Sequence, residues 1–187
     1  MGKTKISWKD WNPGLNNDDQ TLRDVYTSLP GVGAQEVSML VRLFENPASP
    51  IAFKGAVTLE RHDCIHVLIG RGLLPQDEAF VIGFTMGTSK AVSAVEAAVF
   101  KLVTKYVYPK YYRFTDHELE VYEMGLQRGH ECRVEHIYDF PFEDYMDWKL
   151  GDLRALIGVN KPRFIEAYQK EKSLLPDTPA SKRLLAY

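Results

Sequence analysis

Cysteine is nearly missing: Cys64 and Cys132 are the only two in 187 residues. A disulfide framework needs more, so the chain reads as one suited to a reducing compartment and stabilised by an apolar core. A positive excess is missing too. Lys and Arg number 23 against 25 Asp and Glu, a net charge of -2, which lacks the basic face of a duplex-binding module and removes nucleic acid from the expected partners. No apolar run reaches the roughly 18 to 20 residues of a spanning helix. The opening MGKTKISWKDWNPG has no apolar stretch of signal-peptide length, and its Asp10 and lack of Arg argue against a transit peptide. The expected location is the cytoplasm, with at most peripheral contact on the inner face of the cell membrane. Strand-like alternation is almost absent, CRVEHIY at 132–138 being the exception. Internal repeats and low-complexity tracts are missing as well.

What is there is an ordinary globular composition, 45% hydrophobic and 26% charged, in a length that suits one core. Helical punctuation runs along it. NDDQTLRDVYTSL offers Asn17 and Asp18 as caps, places Leu22, Val25, Tyr26 and Leu29 on one face, and stops at Pro30 and Gly31. GAQEVSMLVRLFEN repeats the scheme with Val37, Leu40, Val41 and Phe44. A helix from about Val57 to Ile69 stops at Gly70, and Pro75 opens the next, with Asp77 and Glu78 favoured by its N-terminal dipole. Further helices are expected over 88–108, over 115–132 behind a Thr115 and Glu118 capping box, and within FEDYMDWKLGDLRALIG and NKPRFIEAYQKEK. The expected fold is all-α, a single compact multi-helix domain over 17–173 carrying a metal-binding helical hairpin. An irregular N-terminal arm, 1–16, precedes it, and a loose C-terminal tail, 174–187, follows.

The hairpin expectation rests on geometry. Residues four apart share a helix face, so His62 and His66 can aim their imidazoles at one point, and Asp63 lies about 100° round from His62. His66 stands four residues before Gly70 and Glu78 three after Pro75. An antiparallel turn therefore returns Glu78 to His66. Two imidazoles and two carboxylates suit a divalent ion such as Zn2+, and Fe, Mn or Co also accept such donors. The bland alternative is a satisfied histidine pair with Glu78 merely complementing a helix dipole. Cys64, about 200° from His62, fits a small core residue.

Other metal motifs are absent. His117 and His130 are each followed by Glu but lack the second His of a His-Glu-x-x-His site, and no Glu-x-x-His occurs to build a ferritin-like di-iron bundle. His62-Asp63 is the central dipeptide of HD-type phosphohydrolases, yet no His precedes it.

His62-Asp63-Cys64-Ile65-His66, eleven residues, then Glu78 resembles the His-Asp-x-x-His-x11-Glu signature of the coenzyme Q biosynthesis protein 4 family. PKYYRFTDHELEVYEMGLQRG, with Gly125 and Gly129, and DWKLGDLRALIGV, with Trp148, Leu153, Arg154, Leu156 and Gly158, are similar to that family's later segments. The likeness spans roughly residues 20 to 160. It departs in the helix after Glu78, where FVIGFTMG has Thr85 in place of an acidic residue.

The resemblance implies an all-helical metalloprotein of ubiquinone biosynthesis, of bacterial type and peripherally attached to a membrane, with His62, Asp63, His66 and Glu78 as metal ligands. Its substrate would be a polyprenylated 4-hydroxybenzoate, losing the C1 carboxylate with or without oxidation. Partners would be the prenylated lipid, other quinone biosynthesis enzymes, and a second copy in a homodimer. AVEAAVFKLVTKYVYPKYYRF at 94–114, with Val95, Val99, Leu102 and Val103 beside Lys101, Lys105, Lys110 and Arg113, suits either a prenyl groove at a membrane interface or a core helix with an aromatic end. A metal-dependent lyase and a non-catalytic lipid-binding scaffold with a structural metal both fit. An exchangeable coordination position would separate them.

Overall fold

The computed structural model describes residues 6–30, 58–89 and 115–185, in which the chain is helical and no strand forms. Strand-type pairing among the described residues is limited to an isolated bridge between Thr21 and Lys149. CRVEHIY is not a strand. It bends at His136, whose φ is 59°, into a short 3-10 turn at Ile137–Asp139.

Helix α1, Leu22–Tyr26, starts at Thr21, whose hydroxyl accepts the Asp24 N–H while the Asp24 carboxylate accepts the Thr21 N–H. The expected caps Asn17 and Asp18 are drawn elsewhere. Arg154 donates to both side chains, and the Lys161 ammonium takes the other Asp18 oxygen. A buried guanidinium, which also donates to the Leu68 and Leu15 carbonyls, draws those oxygens away from an exposed helix end.

Helix α2, Leu59–Ile69, runs from the Thr58 cap to Gly70, which adopts the left-handed conformation at φ 71°. After the connection 71–74, helix α3 covers Pro75–Gly87, with Asp77 accepting the Leu74 N–H at 3.0 Å. It is apolar on nearly every side and buried on nearly every side, as an axial helix must be.

Helix α4, Asp116–His130, begins at the expected capping box of Thr115 and Glu118. It packs on α3 through glycines. A Cβ on Gly83 or Gly87 would strike the carbonyl of Tyr122 or Leu126, and one on Gly125 or Gly129 that of Phe80 or Phe84. The register climbs together on both helices, so they run in the same direction. Two Gly-x-x-x-Gly rows, 83–87 and 125–129, thus bring the backbones into direct contact.

The run expected over FEDYMDWKLGDLRALIG splits into a 3-10 turn, Phe142–Tyr145, and helix α5, Leu150–Ile157. Between them the backbone is committed to α1: Arg23 N–H bonds Met146 O, Leu22 N–H bonds Trp148 O, and Leu150 N–H bonds Gln20 O, at 2.8, 3.0 and 2.9 Å. Gly158, φ 87°, ends α5, and Asn160 caps α6, Lys161–Leu174. Phe164 and Tyr168 of α6 meet Phe80 of α3 with ring centroids 6.1 and 5.2 Å away.

The described segment after 174, residues 175–185, is not loose. It forms helix α7, Pro179–Arg183, with Ala180, Ser181 and Leu184 buried. Polar anchors hold it: Gln76 donates to the Ser181 hydroxyl, and Arg183 binds Asp77. The arm is irregular from residue 6, yet Trp11 and Leu15 are buried in the core. The helix expected over 33–46, that over 88–108 beyond Ser89, and the stretch 94–114 lie outside the described residues. No described helix is long and apolar enough to cross a membrane.

Candidate metal centre

One turn of α2 separates His62 from His66, and their rings lie edge to face with centroids 4.8 Å apart. Their Nε2 atoms are 3.0 Å apart. Glu78, in the first turn of α3, places Oε2 3.0 Å from His62 Nε2 and Oε1 3.3 Å from His66 Nε2. Candidate ligand atoms of the three residues all lie within 4.8 Å of one another, and the cluster can hold a metal ion.

The protonation state of His66 follows from its other nitrogen. Nδ1 is 2.7 Å from the Gly72 carbonyl, which can only accept, so Nδ1 carries a proton and a neutral His66 leaves the Nε2 lone pair facing the cluster. Such an anchored second nitrogen is what fixes the tautomer and ring angle of a metal-bound histidine. The Nε2 lone pair of a neutral His66 then faces His62 Nε2 and the Glu78 carboxylate, where a proton or a metal cation between the groups satisfies them.

Electrostatics show the same demand. Burial alone would raise the Glu78 carboxyl, but the His66 charge and the hydrogen bonds from both histidines hold it well below the usual carboxylate range. Burial alone would lower His66, yet the Glu78 charge and its hydrogen bond, helped by Asp63 and Asp77, raise it above the ordinary imidazole value. Carboxylate and imidazole hold a proton between them, and a divalent ion can take its place.

Asp63 stands outside the three-residue group. Its carboxyl is raised by burial and is close enough to feel His66 and His62, which pull it down, and Glu78, which pushes it up. Three of the four residues expected from the sequence therefore converge, with Asp63 beside them. Cys64 is buried, its thiol pushed up to about 12 by burial and by Asp63, an inert core residue as expected. Thr85 turns to its own helix and donates to the Val81 carbonyl.

Access is one-sided. The His66 side chain is fully buried, whereas those of His62 and Glu78 remain 13% and 18% exposed. Behind His66, Val67, Leu68 and Ile69 close the core.

Supporting residues that the sequence did not single out lie in the connection and far along the chain. Arg71 is fully buried, forks to both oxygens of Glu171, and lies 3.2 Å from Asp77. Arg183 reaches Asp77 from α7. Spacing cannot reveal such partners; a charged pair of residues in a short turn, Arg71 and Asp77, was the available local hint.

No family model, curated protein or solved structure matches the chain. The chemistry of the cluster carries the functional reading.

Proposed function

We propose that this chain is a metal-dependent protein of quinone biosynthesis, of the type that the coenzyme Q biosynthesis protein 4 signature marks, acting at the C1 carboxylate of a polyprenylated 4-hydroxybenzoate-like lipid at a membrane face. The observation that carries the reading is the convergence of His62, His66 and Glu78 behind an Nδ1-anchored histidine. Those three residues would hold the ion, with zinc the best match to an N2O donor set. Once bound, a divalent ion supplies Lewis-acid stabilisation of negative charge on a carboxylate or phenolate oxygen.

The chain's own residues set how that chemistry is used. Three protein donors, rather than the four of a closed structural site, leave room for an exchangeable ligand, which favours the catalytic over the scaffold reading. Partial exposure of His62 and Glu78 puts that room on the open side, while buried His66 and the apolar residues behind it exclude water from the other. Asp63 adds a second carboxylate close enough to act on His66 and His62 through its charge.

The test is elemental mass spectrometry of untagged, chelator-free protein, with His66→Ala and Glu78→Ala alongside, followed by assay of CO2 release from a short-chain prenylated 4-hydroxybenzoate in vesicles. Near-stoichiometric metal that disappears in both variants, with metal-dependent CO2 release, is the expected result. Metal without turnover would move the protein to the lipid-binding or scaffold class. Wild-type protein that takes up no metal would remove the reading.

A further inference from the structure

The segment around α7 touches both supports of the candidate metal site. Arg183 is the contact. Its Nη2 donates to Asp77 Oδ2 at 2.6 Å, and its Nη1 donates to the carbonyls of Lys9 and Trp11 at 2.6 and 3.0 Å. Asp77 is the residue before Glu78, and the same Oδ2 accepts the Leu74 N–H that opens α3. The first turn of the helix that presents Glu78 is therefore fixed through the carboxylate that Arg183 grips.

The second support is Gly72, whose carbonyl orients His66. There is no space over this glycine. A Cβ on it would lie 2.7 Å from the Trp11 carbonyl, 2.8 Å from Arg183 Nη2 and 2.9 Å from Asp77 Oδ2. One guanidinium thus packs against the residue that sets His66 and bonds the residue that precedes Glu78. The contact is closed in: the Asp77 side chain is 2% exposed and that of Arg183 17%.

The segment is held by contacts of its own. Gln76 donates to the Ser181 hydroxyl at 2.9 Å, Asn12 donates to the Arg183 carbonyl at 2.9 Å, and Lys172 donates to the Leu184 carbonyl at 3.2 Å. Docking of 176–185 and the arrangement of the connection 71–74 are consequently one structural event.

We infer that Arg183 is a positioning residue, and that the segment 176–185 is a strap whose docking sets the affinity of the His62, His66 and Glu78 site for a divalent metal. The inference rests on the metal reading above. It adds a coupled element far along the chain from the ligands. Supporting groups behind metal ligands typically change affinity by ~10- to 100-fold, and coupling of this kind is reciprocal. Metal must favour the docked strap by the factor by which docking favours metal.

The test uses the full chain and Zn2+ or Co2+ alone. Zn2+ affinity is measured by chelator competition for wild type, Arg183→Ala and Arg183→Lys, and the visible absorption of the Co2+-loaded proteins reports ligand geometry. The expected result is a ~10- to 100-fold loss for Arg183→Ala with an altered Co2+ spectrum, partly restored by Arg183→Lys, which returns the charge but not the fork. In wild type, hydrogen exchange across 176–185 should slow on adding Zn2+, and should not respond in His62→Ala. That arm needs no folded Arg183 variant. An Arg183→Ala protein with lower thermal stability but unchanged Zn2+ affinity and Co2+ spectrum overturns the strap and leaves the metal site standing, as does metal-insensitive exchange in wild type that binds metal. Wild type that binds no metal overturns both.

Discussion

Arg71 and Glu171, one hundred residues apart, form a fully buried bidentate ion pair, with both nitrogen–oxygen distances at 2.9 Å. The guanidinium also packs against two rings, 4.8 Å from the Phe80 centroid and 5.1 Å from that of Tyr168. Gln76 donates to the same carboxylate. Glu171→Ala removes the main compensation for a buried positive charge, and loss of one partner from such a pair costs about 3–5 kcal/mol. Urea denaturation should show that loss. The paired replacement Arg71→Met with Glu171→Leu should recover much of it, because an apolar pair carries no desolvation penalty.

The glycines between α3 and α4 set a second expectation. Gly83 faces the Tyr122 carbonyl and Gly125 the Phe80 carbonyl, both closer than any real Cβ would tolerate. Gly83→Ala or Gly125→Ala must push two parallel helix backbones apart through a core that includes Phe80, Phe84 and Val121. Overpacking of a dense core costs about 1–3 kcal/mol, occasionally more. A control at Gly14, where added Cβ meets nothing within 4 Å but φ is 64°, should show backbone strain without this clash. Thermal melts of the three variants separate the two causes.

Local chemistry made some of this legible and long-range chemistry hid the rest. Gly70, Pro75 and the pair Thr115 and Glu118 act within a few residues of where they stand, so the ends of α2, α3 and α4 could be read from the sequence. The spacing of His62, His66 and Glu78 was likewise sufficient, because a four-residue step and a short turn leave little freedom. Asn17 and Asp18 misled, since their true partners Arg154 and Lys161 lie more than a hundred positions away. Arg183 was invisible for the same reason. Nothing in PASKR signals that the helix is anchored by Asp77 and Gln76.

Asp18 gives the pH dependence. Burial raises its carboxyl, but hydrogen bonds from Lys161 and Arg154 and their charges outweigh this and lower it below its ordinary value of 3.8. A depressed folded-state pKa means stability that is fully present above the ordinary value and lost as pH falls through the folded one. Asp18→Asn should therefore lower the melting temperature at neutral pH, and the gap from wild type should close only below about pH 4. A gap that stays constant down to pH 2 would show that the Asp18 contribution is steric. The side chain is 43% exposed, so solvent screening keeps the effect modest.

The donor set makes a sharper claim about two neighbouring carboxylates. Glu78 lies at hydrogen-bond distance from His62 and 3.3 Å from His66, while Asp63 acts on the same histidines only through its charge. Glu78→Gln removes a charged ligand and should abolish stoichiometric metal binding at micromolar protein. Asp63→Asn removes a nearby negative charge without a ligand bond, and should weaken binding by about 10-fold, in the range of outer supporting groups. Both replacements preserve shape, which keeps folding out of the comparison. Metal titration of the two variants beside wild type reads the order directly: Glu78→Gln worse than Asp63→Asn assigns three protein ligands and an exchangeable position, whereas equal losses would make Asp63 the fourth ligand and close the site that catalysis needs open.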